Sequence, residues 1–255
     1  MLGRLREFRF LFEELVKRDF KKKYKGTVLG MGWSVLSPLL MLLVMKVVFE
    51  NFFGRGMAHY TTYLFCGNLV YSWFAEATNL GMRSLLGNAA IFTKVNVPKY
   101  IFILSGSVQT LINFVLTLGV FFIFCALDNV VFTWKFLVLI FPVATLCLFN
   151  IGVGLILSAL HVFFRDIDYL WRVFLMLVMY GSAIFYPVTN LSPKLQVILA
   201  INPVYRHIEY FRQVVLEGVI PSWDMHLTLV AFAALVIIVG GWMYKRFNTK
   251  FLYYV

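Results

Sequence analysis

Acidic residues are scarce in this sequence. The 255 residues include 12 Asp and Glu against 23 Lys and Arg, and charged residues of both signs make up only 14% of the chain. Hydrophobic residues account for 61%, and the mean hydropathy is +0.83. Soluble domains have roughly 45–50% apolar and about 25% charged residues. This composition excludes an ordinary soluble domain and is typical of a membrane protein.

Cysteines and the common catalytic motifs are also few or missing. Cys66, Cys125 and Cys147 all lie in apolar segments, so we expect packing roles rather than disulfides or a metal site. The sequence contains no P-loop (G-x-x-x-x-G-K-[ST]) and no G-x-S-x-G, H-E-x-x-H or C-x-x-C. We therefore expect no metal and no cofactor in this chain.

The positive charges lie beside apolar segments. The net charge is +11, and the densest basic cluster directly precedes the first long apolar run. Cations at this position suit the anionic head groups of a cytoplasmic leaflet. We therefore expect membrane lipid, and not nucleic acid, as the partner of this charge.

Six segments are long and apolar enough to cross a bilayer. They are residues 33–52, 61–82, 100–127, 136–163, 169–186 and 227–244. Most Lys and Arg of the short connections fall on the side of the two termini, which predicts that both termini are cytoplasmic. The expected fold is all-α, a multi-pass protein whose residues 33–255 form one six-helix domain.

Residues 1–32 are predicted to form a separate cytoplasmic unit. Phe8, Leu11, Phe12 and Leu15 recur at helical spacing with charged residues between them. This pattern favours an amphipathic helix in the head-group plane over a signal peptide, and fits better than a disordered basic tail.

The segment between the fifth and sixth predicted spans contains Pro187, Pro193, Pro203 and Pro221, so no long helix crosses it. Two short helical pieces remain, at residues 195–201 and 204–219. They fit either short gate helices that dip into the outer leaflet or a hairpin on the membrane surface.

The second span contains a carboxylate, Glu76, which is costly in hydrocarbon and is expected to face an interior or an aqueous cavity. Aromatic rings beside hydrogen-bonding groups are what a sugar needs, although packing alone also explains such rings. The predicted glycan-channel residues are Tyr71, Trp73, Phe74, Glu76 and Asn79.

One pattern suggests an enzyme. His161 and Asp166 have the H-x-x-x-x-D spacing of membrane acyltransferases. The alternative is that Asp166 caps the fifth helix and His161 ends the fourth.

The start of the chain resembles a known family. Arg18-Asp19, Lys23-Tyr24, Leu29-Gly30 and Trp33 match R-D-x-x-x-[RK]-Y-x-x-[ST]-x-L-G-x-x-W, which is similar to the start of ABC-2 permeases that export polysaccharides. Residues 88–98, 165–166, 184–187, 202–203 and 211–212 resemble later parts of that family in the same order. One departure is Gly181-Ser182-Ala183, where the family has Thr-Pro.

The resemblance implies the membrane subunit of an ABC transporter and not an enzyme. Its expected substrate is a lipid-linked polysaccharide of O-antigen, capsule or teichoic acid type, exported across the bacterial cytoplasmic membrane. A homodimer would associate with two ATPase subunits that hold ATP and Mg. The alternatives are an ABC-2 permease for a drug or lipid, and the acyltransferase.

The resemblance also implies three groups of site residues. The ATPase-coupling residues are Asn88, Ile91, Phe92, Lys94 and Pro98, where exposed apolar side chains are expected to meet the ATPase unless the membrane interface buries them. The lipid-head-group residues are Arg18, Lys21, Lys22, Lys23, Lys25 and Trp33, although the lysines could serve only as an anchor. The external-gate residues are Tyr186, Pro187, Asn202, Pro203, Phe211 and Arg212.

Overall fold

The computed structural model describes residues 2–54, 57–95 and 97–254, and within these ranges every regular element is helical. The α-helices are α1 (Leu2–Tyr24), α2 (Trp33–Phe53), α3 (Tyr60–Gly87), α4 (Ala89–Phe92), α5 (Ile101–Leu127), α6 (Ile140–Phe163), α7 (Ile167–Tyr180), α8 (Pro193–Ile201), α9 (Pro203–Val215) and α10 (Trp223–Phe247). The all-α prediction is confirmed.

Four helices of the described chain are long and apolar enough to cross a membrane: α2, α5, α6 with the 3-10 turn before it, and α10. The 28-residue α3 is long enough but more polar. The 14 residues of α7 extend about 21 Å, which is shorter than a hydrocarbon core of roughly 30 Å. The protein is therefore a membrane protein, and the count of six spans stays a prediction.

The fifth predicted span, residues 169–186, is too long. Helix α7 ends at Tyr180, where the Gly181 N–H donates to the Leu177 carbonyl at 2.7 Å. Ala183 then has a φ of 48°, a left-handed conformation that continues no helix. The turn falls on the three residues that depart from the family pattern.

Helix α6 lies at the centre of the bundle and packs on both α3 and α10. Glycines permit these close contacts. A Cβ on Gly81 would lie 2.8 Å from Gly154 Cα, and a Cβ on Gly240 would lie 2.7 Å from Leu155 Cβ. Small residues at helix crossings let backbones approach within membranes, so three helices hold a fixed mutual geometry.

Helix α1 confirms the predicted helix at the N-terminus, and its apolar stripe packs against protein. Leu15 is only 2% exposed and shares a cluster with Leu85, Phe92 and Phe102, with Leu11 and Phe12 at its edge. The structure therefore attaches α1 to the end of α3, to α4 and to α5.

The predicted pair of short helices after the fifth span is confirmed as α8 and α9. Asn202 caps α9 by accepting hydrogen bonds from the backbone N–H groups of Val204 at 3.0 Å and Tyr205 at 3.4 Å. Pro203 occupies the first helical position, where its missing N–H costs nothing. Helix α9 then packs on α3.

Candidate functional site

The polar residues of two helices face each other inside the apolar bundle. On α5, Gln109, Asn113 and Thr117 recur every four residues and so share one face of the helix. Opposite them on α3, the Glu76 carboxylate accepts a hydrogen bond from Asn113 Nδ2 at 3.0 Å. This contact is the centre of the candidate site.

On one side of Glu76 lies a cavity of about 510 Å³, here called the α2 cleft. Helices α2, α3 and α5 enclose it, with Thr27 contributing from the loop before α2. Its polar lining residues are Thr27, Ser34, Ser37, Asn68, Ser72, Glu76, Asn113 and Thr117, and its rings are those of Trp33, Trp73 and Phe114.

On the other side lies a cavity of about 650 Å³, here called the α1 cleft. Its charged and amide lining residues are Arg18, Asp19, Glu76, Asn79, Arg83, Asn88 and Gln109. Glu76 lines both cavities, so they adjoin at this residue. We call the two clefts together the α3 groove.

Two buried polar atoms face the groove without a partner in the described part of the chain. Trp73 Nε1 and Gln109 Oε1 have no hydrogen bond, although Trp73 lines the α2 cleft and Gln109 the α1 cleft. Buried polar groups are normally satisfied. The structure therefore leaves two unsatisfied polar atoms buried beside the groove.

The α1 end of the groove carries two arginines held by carboxylates. Arg18 contacts Asp19 at 2.6 Å and donates to Asn88 Oδ1 at 2.7 Å. Arg83 pairs with Asp168 of α7 at 2.7 Å. The arginine side chains remain about half exposed, so the groove opens to the surface beside two ion pairs.

Three of the predicted channel residues, Trp73, Glu76 and Asn79, line the groove. Tyr71 and Phe74 lie on other faces of α3 and do not line the groove, so their channel role stays a prediction. The Tyr71 hydroxyl donates to the Leu175 carbonyl of α7 at 3.0 Å. The Phe74 ring packs 5.9 Å from that of Phe149 and 6.0 Å from that of Trp171.

The side of the groove that α5 forms was not predicted from the sequence. Gln109, Asn113 and Thr117 carry a readable signal, since polar residues every fourth position in an apolar helix mark one face. The polar contributions of α2, from Ser34 and Ser37, have no comparable periodic signal.

The predicted lipid-head-group residues separate into two groups. Trp33 is 41% exposed and lines the α2 cleft, and Arg18 lines the α1 cleft. Lys21 and Lys25 are exposed and line neither. The side chains of Lys22 and Lys23 lie outside the described residues.

The predicted coupling segment forms α4 and the turn after it, but its exposed surface differs from the prediction. Phe92 is only 5% exposed because it packs into the cluster with Leu15 and Phe102, so the expected exposed ring is wrong. Ile91 and Pro98 are partly buried, whereas Lys94 is exposed and Val95 is 54% exposed.

Asn88 precedes α4, but its side chain makes no capping bond there. Its Nδ2 donates to the Ser84 carbonyl at 2.8 Å, and its Oδ1 accepts from Arg18. Asn88 thus connects the coupling segment to α1 and to the α1 cleft.

The predicted gate residues meet at one corner of the fold. Buried Arg212 donates to the carbonyls of Ala183 at 2.9 Å and Ile184 at 3.1 Å, and its guanidinium lies 3.4 Å from the centre of the Tyr63 ring. Asn202 Nδ2 bonds to Gly181 O and Ser182 Oγ at 2.9 and 2.8 Å. These bonds fix α9 to the turn after α7.

Further contacts close this corner. The Tyr186 carbonyl, which precedes Pro187, accepts from the Tyr63 hydroxyl at 2.7 Å, and Phe211 is fully buried in the main core. Burial lowers the pKa of His207 to about 4, so the imidazole is neutral at pH 7. The structure shows a firmly packed corner, and its opening as a gate stays a prediction.

The acyltransferase pair is not assembled. Among the described hydrogen bonds none joins His161 to Asp166, and His161 is buried whereas Asp166 is exposed. Asp166 lies at the start of α7, but its side chain makes no capping bond there, so that expectation is also wrong. The described residues include no group of three or more His, Cys, Asp or Glu that could hold a metal ion.

A bundle of apolar helices around a groove that includes polar side chains fits a membrane transport protein. Residues 11–216 match the family described as ABC-2 type transporter. The chain belongs to this family, and it is a transport subunit rather than an enzyme.

Similar proteins match along nearly the whole length. The chain is 25% identical to the O-antigen export system permease protein RfbA of Myxococcus xanthus, over 98% of this chain and 97% of that protein. It is 26% identical to a protein of the same name from Klebsiella pneumoniae, over 91% and 90%. It is 22% identical to the polysialic acid transport protein KpsM of Escherichia coli, over 91% and 92%.

Proposed function

We propose that this chain is the permease subunit of an ABC transporter that exports a lipid-linked polysaccharide across the bacterial cytoplasmic membrane. The α3 groove is the observation that carries the proposal. It brings hydroxyl, amide and aromatic side chains together beside one carboxylate, within an otherwise apolar bundle. The relatives named for O-antigen export and polysialic acid transport support a glycan as the substrate.

The groove suits a glycan better than an apolar drug. Sugars present hydroxyl groups for hydrogen bonds and C–H faces for stacking, and Trp33, which is 41% exposed, offers a ring for those faces. The carrier's phosphate would lie at the arginine end, near Arg18 and Arg83, with Lys21 and Lys25 attracting it from outside.

Energy would come from a separate ATPase that binds ATP and Mg, because this chain contains no P-loop. The ATPase would meet the exposed surface of the turn after α4, at Lys94 and Val95. Asn88 would relay its movement to Arg18 and the α1 cleft. In this proposal, the ATPase and both termini lie on the cytoplasmic side of the membrane.

A homodimer would complete the path. Ser72 and Arg83 line the groove and are exposed in a single copy, so a second wall is needed to keep a glycan from lipid. Helices α2 and α7 present large apolar faces, with Val47 72% exposed and Leu177 65% exposed. Two copies and two ATPase subunits form the proposed assembly.

ATP hydrolysis by the purified complex tests the substrate class. We expect a lipid-linked polysaccharide to stimulate hydrolysis several-fold, and the carrier lipid phosphate alone to stimulate it less. Stimulation by apolar drugs or bulk phospholipid, with no response to the glycan, would favour the alternative permease and contradict the proposal.

A further inference from the structure

A further cavity, separate from the two clefts of the α3 groove, lies between α5, α6 and α10. It has a volume of about 510 Å³, and we call it the α10 groove. Its walls are mostly apolar, formed by Ile103, Leu104, Ile151, Leu155, Gly241 and Tyr244. It lies where α5 begins and α10 ends, so it is at the edge of the membrane on the side of the termini.

Two lysines lie at this groove, Lys99 before α5 and Lys245 in the last turn of α10. No carboxylate lines it within the described part of the chain. Lys99 Nζ donates to Asn248 Oδ1 at 2.9 Å, which leaves two of its three N–H donors for another acceptor. The groove therefore combines an apolar interior with a cationic rim.

Lys99 is unusually placed for a lysine. It is only 8% exposed, and burial lowers the pKa of its ammonium group. Its Nζ lies 5.7 Å from the centre of the Phe92 ring, a weak cation–π contact. A neighbouring anion would stabilise the charged form, because opposite charges favour ionisation.

We propose that the α10 groove binds an anionic phospholipid of the leaflet on the side of the termini. Its phosphate would lie between Lys99 and Lys245, and one acyl chain would lie along Leu104, Leu155 and Gly241. Basic sites between membrane helices on the cytoplasmic side bind anionic head groups for the same electrostatic reason. The site is separate from the proposed glycan path.

The apolar walls distinguish a lipid from free phosphate. A Cβ added to Gly241 would meet no atom within 4 Å, so this glycine leaves open the space that an acyl chain would fill. A free anion would use only the lysines and would leave the apolar interior unfilled.

The site also adjoins the proposed ATPase contact. Lys99 lies over Phe92 of α4, and Pro98 of the coupling segment lines the α10 groove. A bound lipid would hold Lys99 charged and fixed beside α4.

Titration of the purified full-length protein with phosphatidylglycerol, followed by native mass spectrometry, tests the site. Phosphatidylcholine with the same acyl chains serves as the neutral lipid. We expect phosphatidylglycerol to bind roughly thirtyfold more tightly, the combined effect of two cations near the surface. Lys99→Gln with Lys245→Gln should remove that preference.

Two further variants keep the test decisive if Lys99→Gln disturbs folding. Lys245→Gln changes an exposed residue and should remove part of the preference, whereas Lys194→Gln on α8 should change nothing. Gly241→Leu should weaken binding by filling the groove. Gly119→Leu is its matched control, because Gly119 is an exposed helical glycine with no atom within 4 Å of an added Cβ.

Equal binding of the two lipids, or unchanged binding by the variants, would overturn the proposal. Displacement of the lipid by glycerol phosphate at equal concentration would show a site for the free phosphate and also overturn it. The titration is repeated on the complex with the ATPase. Loss of phosphatidylglycerol there would show that protein occupies the groove, whereas retention is the expected result.

Discussion

At the residue scale, Glu76 is the central side chain of the candidate site. It lines both clefts, and its carboxylate bonds to Asn113 across the groove. A carboxylate in the middle of a membrane helix is costly unless it faces polar groups or water. A hydrated substrate that passes along the groove would explain why a carboxylate is tolerated at this position.

The groove residues give the first prediction. Glu76→Leu and Asn113→Leu should each reduce polysaccharide export by roughly tenfold or more, the effect of leaving buried polar partners unpaired. Glu76→Gln keeps the shape and the bond acceptor and should retain more activity. Export is measured as surface polysaccharide, with the amount of inserted permease determined by immunoblotting.

A matched pair on α5 controls for general damage. Thr117 lines the α2 cleft, whereas Thr110 is buried outside both clefts. Each hydroxyl donates to a carbonyl of its own helix at 3.0 Å. Thr117→Val should reduce export more than Thr110→Val, and the reverse order would contradict the assignment of the groove.

At the element scale, the structure depends on how closely α6 approaches its neighbours. A Cβ on Gly152 would lie 2.5 Å from Val236 Cγ2 and 2.7 Å from Ile237 N of α10. Backbone atoms cannot move aside as a flexible side chain can, so even one methyl group forces the helices apart.

The second prediction follows from this crossing. Gly152→Ala should lower the free energy of unfolding by about 1–3 kcal/mol, the usual cost of overpacking. Gly119→Ala should leave stability unchanged or raise it slightly, because nothing lies near its added Cβ and Ala favours helix. Thermal unfolding of the two variants in detergent measures the difference. Equal thermal unfolding midpoints for the two variants would show that α6 and α10 pack less closely than in the structure.

The turn after α4 gives the third prediction. Val95→Asp places a charge on an exposed apolar residue and should weaken copurification of the ATPase without loss of inserted protein. Val131→Asp, on the exposed loop after α5, is the control and should leave the complex intact. Retention of the ATPase and of export by Val95→Asp would refute the proposed contact.

The bounds of the long apolar helices could be predicted well from the sequence. The contacts between helices could not. Helix α2 was expected at 33–52 and spans Trp33–Phe53, because length and hydropathy determine such an element. Burial of Phe92 could not be predicted, since it depends on α1 and α5 meeting at that ring. The faces of Tyr71 and Phe74 likewise depend on where α6 and α7 pack against α3.

At the scale of the whole molecule, a single copy leaves the proposed glycan path open on one side. The α3 groove opens to the surface at Ser72 and Arg83, and the corner at Arg212 closes the far side of the fold with bonds to the turn after α7. The proposed export mechanism requires both a second copy of the permease and a movement of this corner. We expect ATP hydrolysis by the partner to supply that movement through α4.

The most direct test is transport into proteoliposomes. The permease and its ATPase are reconstituted with a radiolabelled lipid-linked polysaccharide on the ATPase side, and the glycan that reaches the opposite side is measured. We expect glycan transport to require ATP and both subunits. The Glu76→Leu substitution should reduce the transport rate at least tenfold. ATP hydrolysis without glycan transfer, or transfer unchanged by that substitution, would contradict the proposed function.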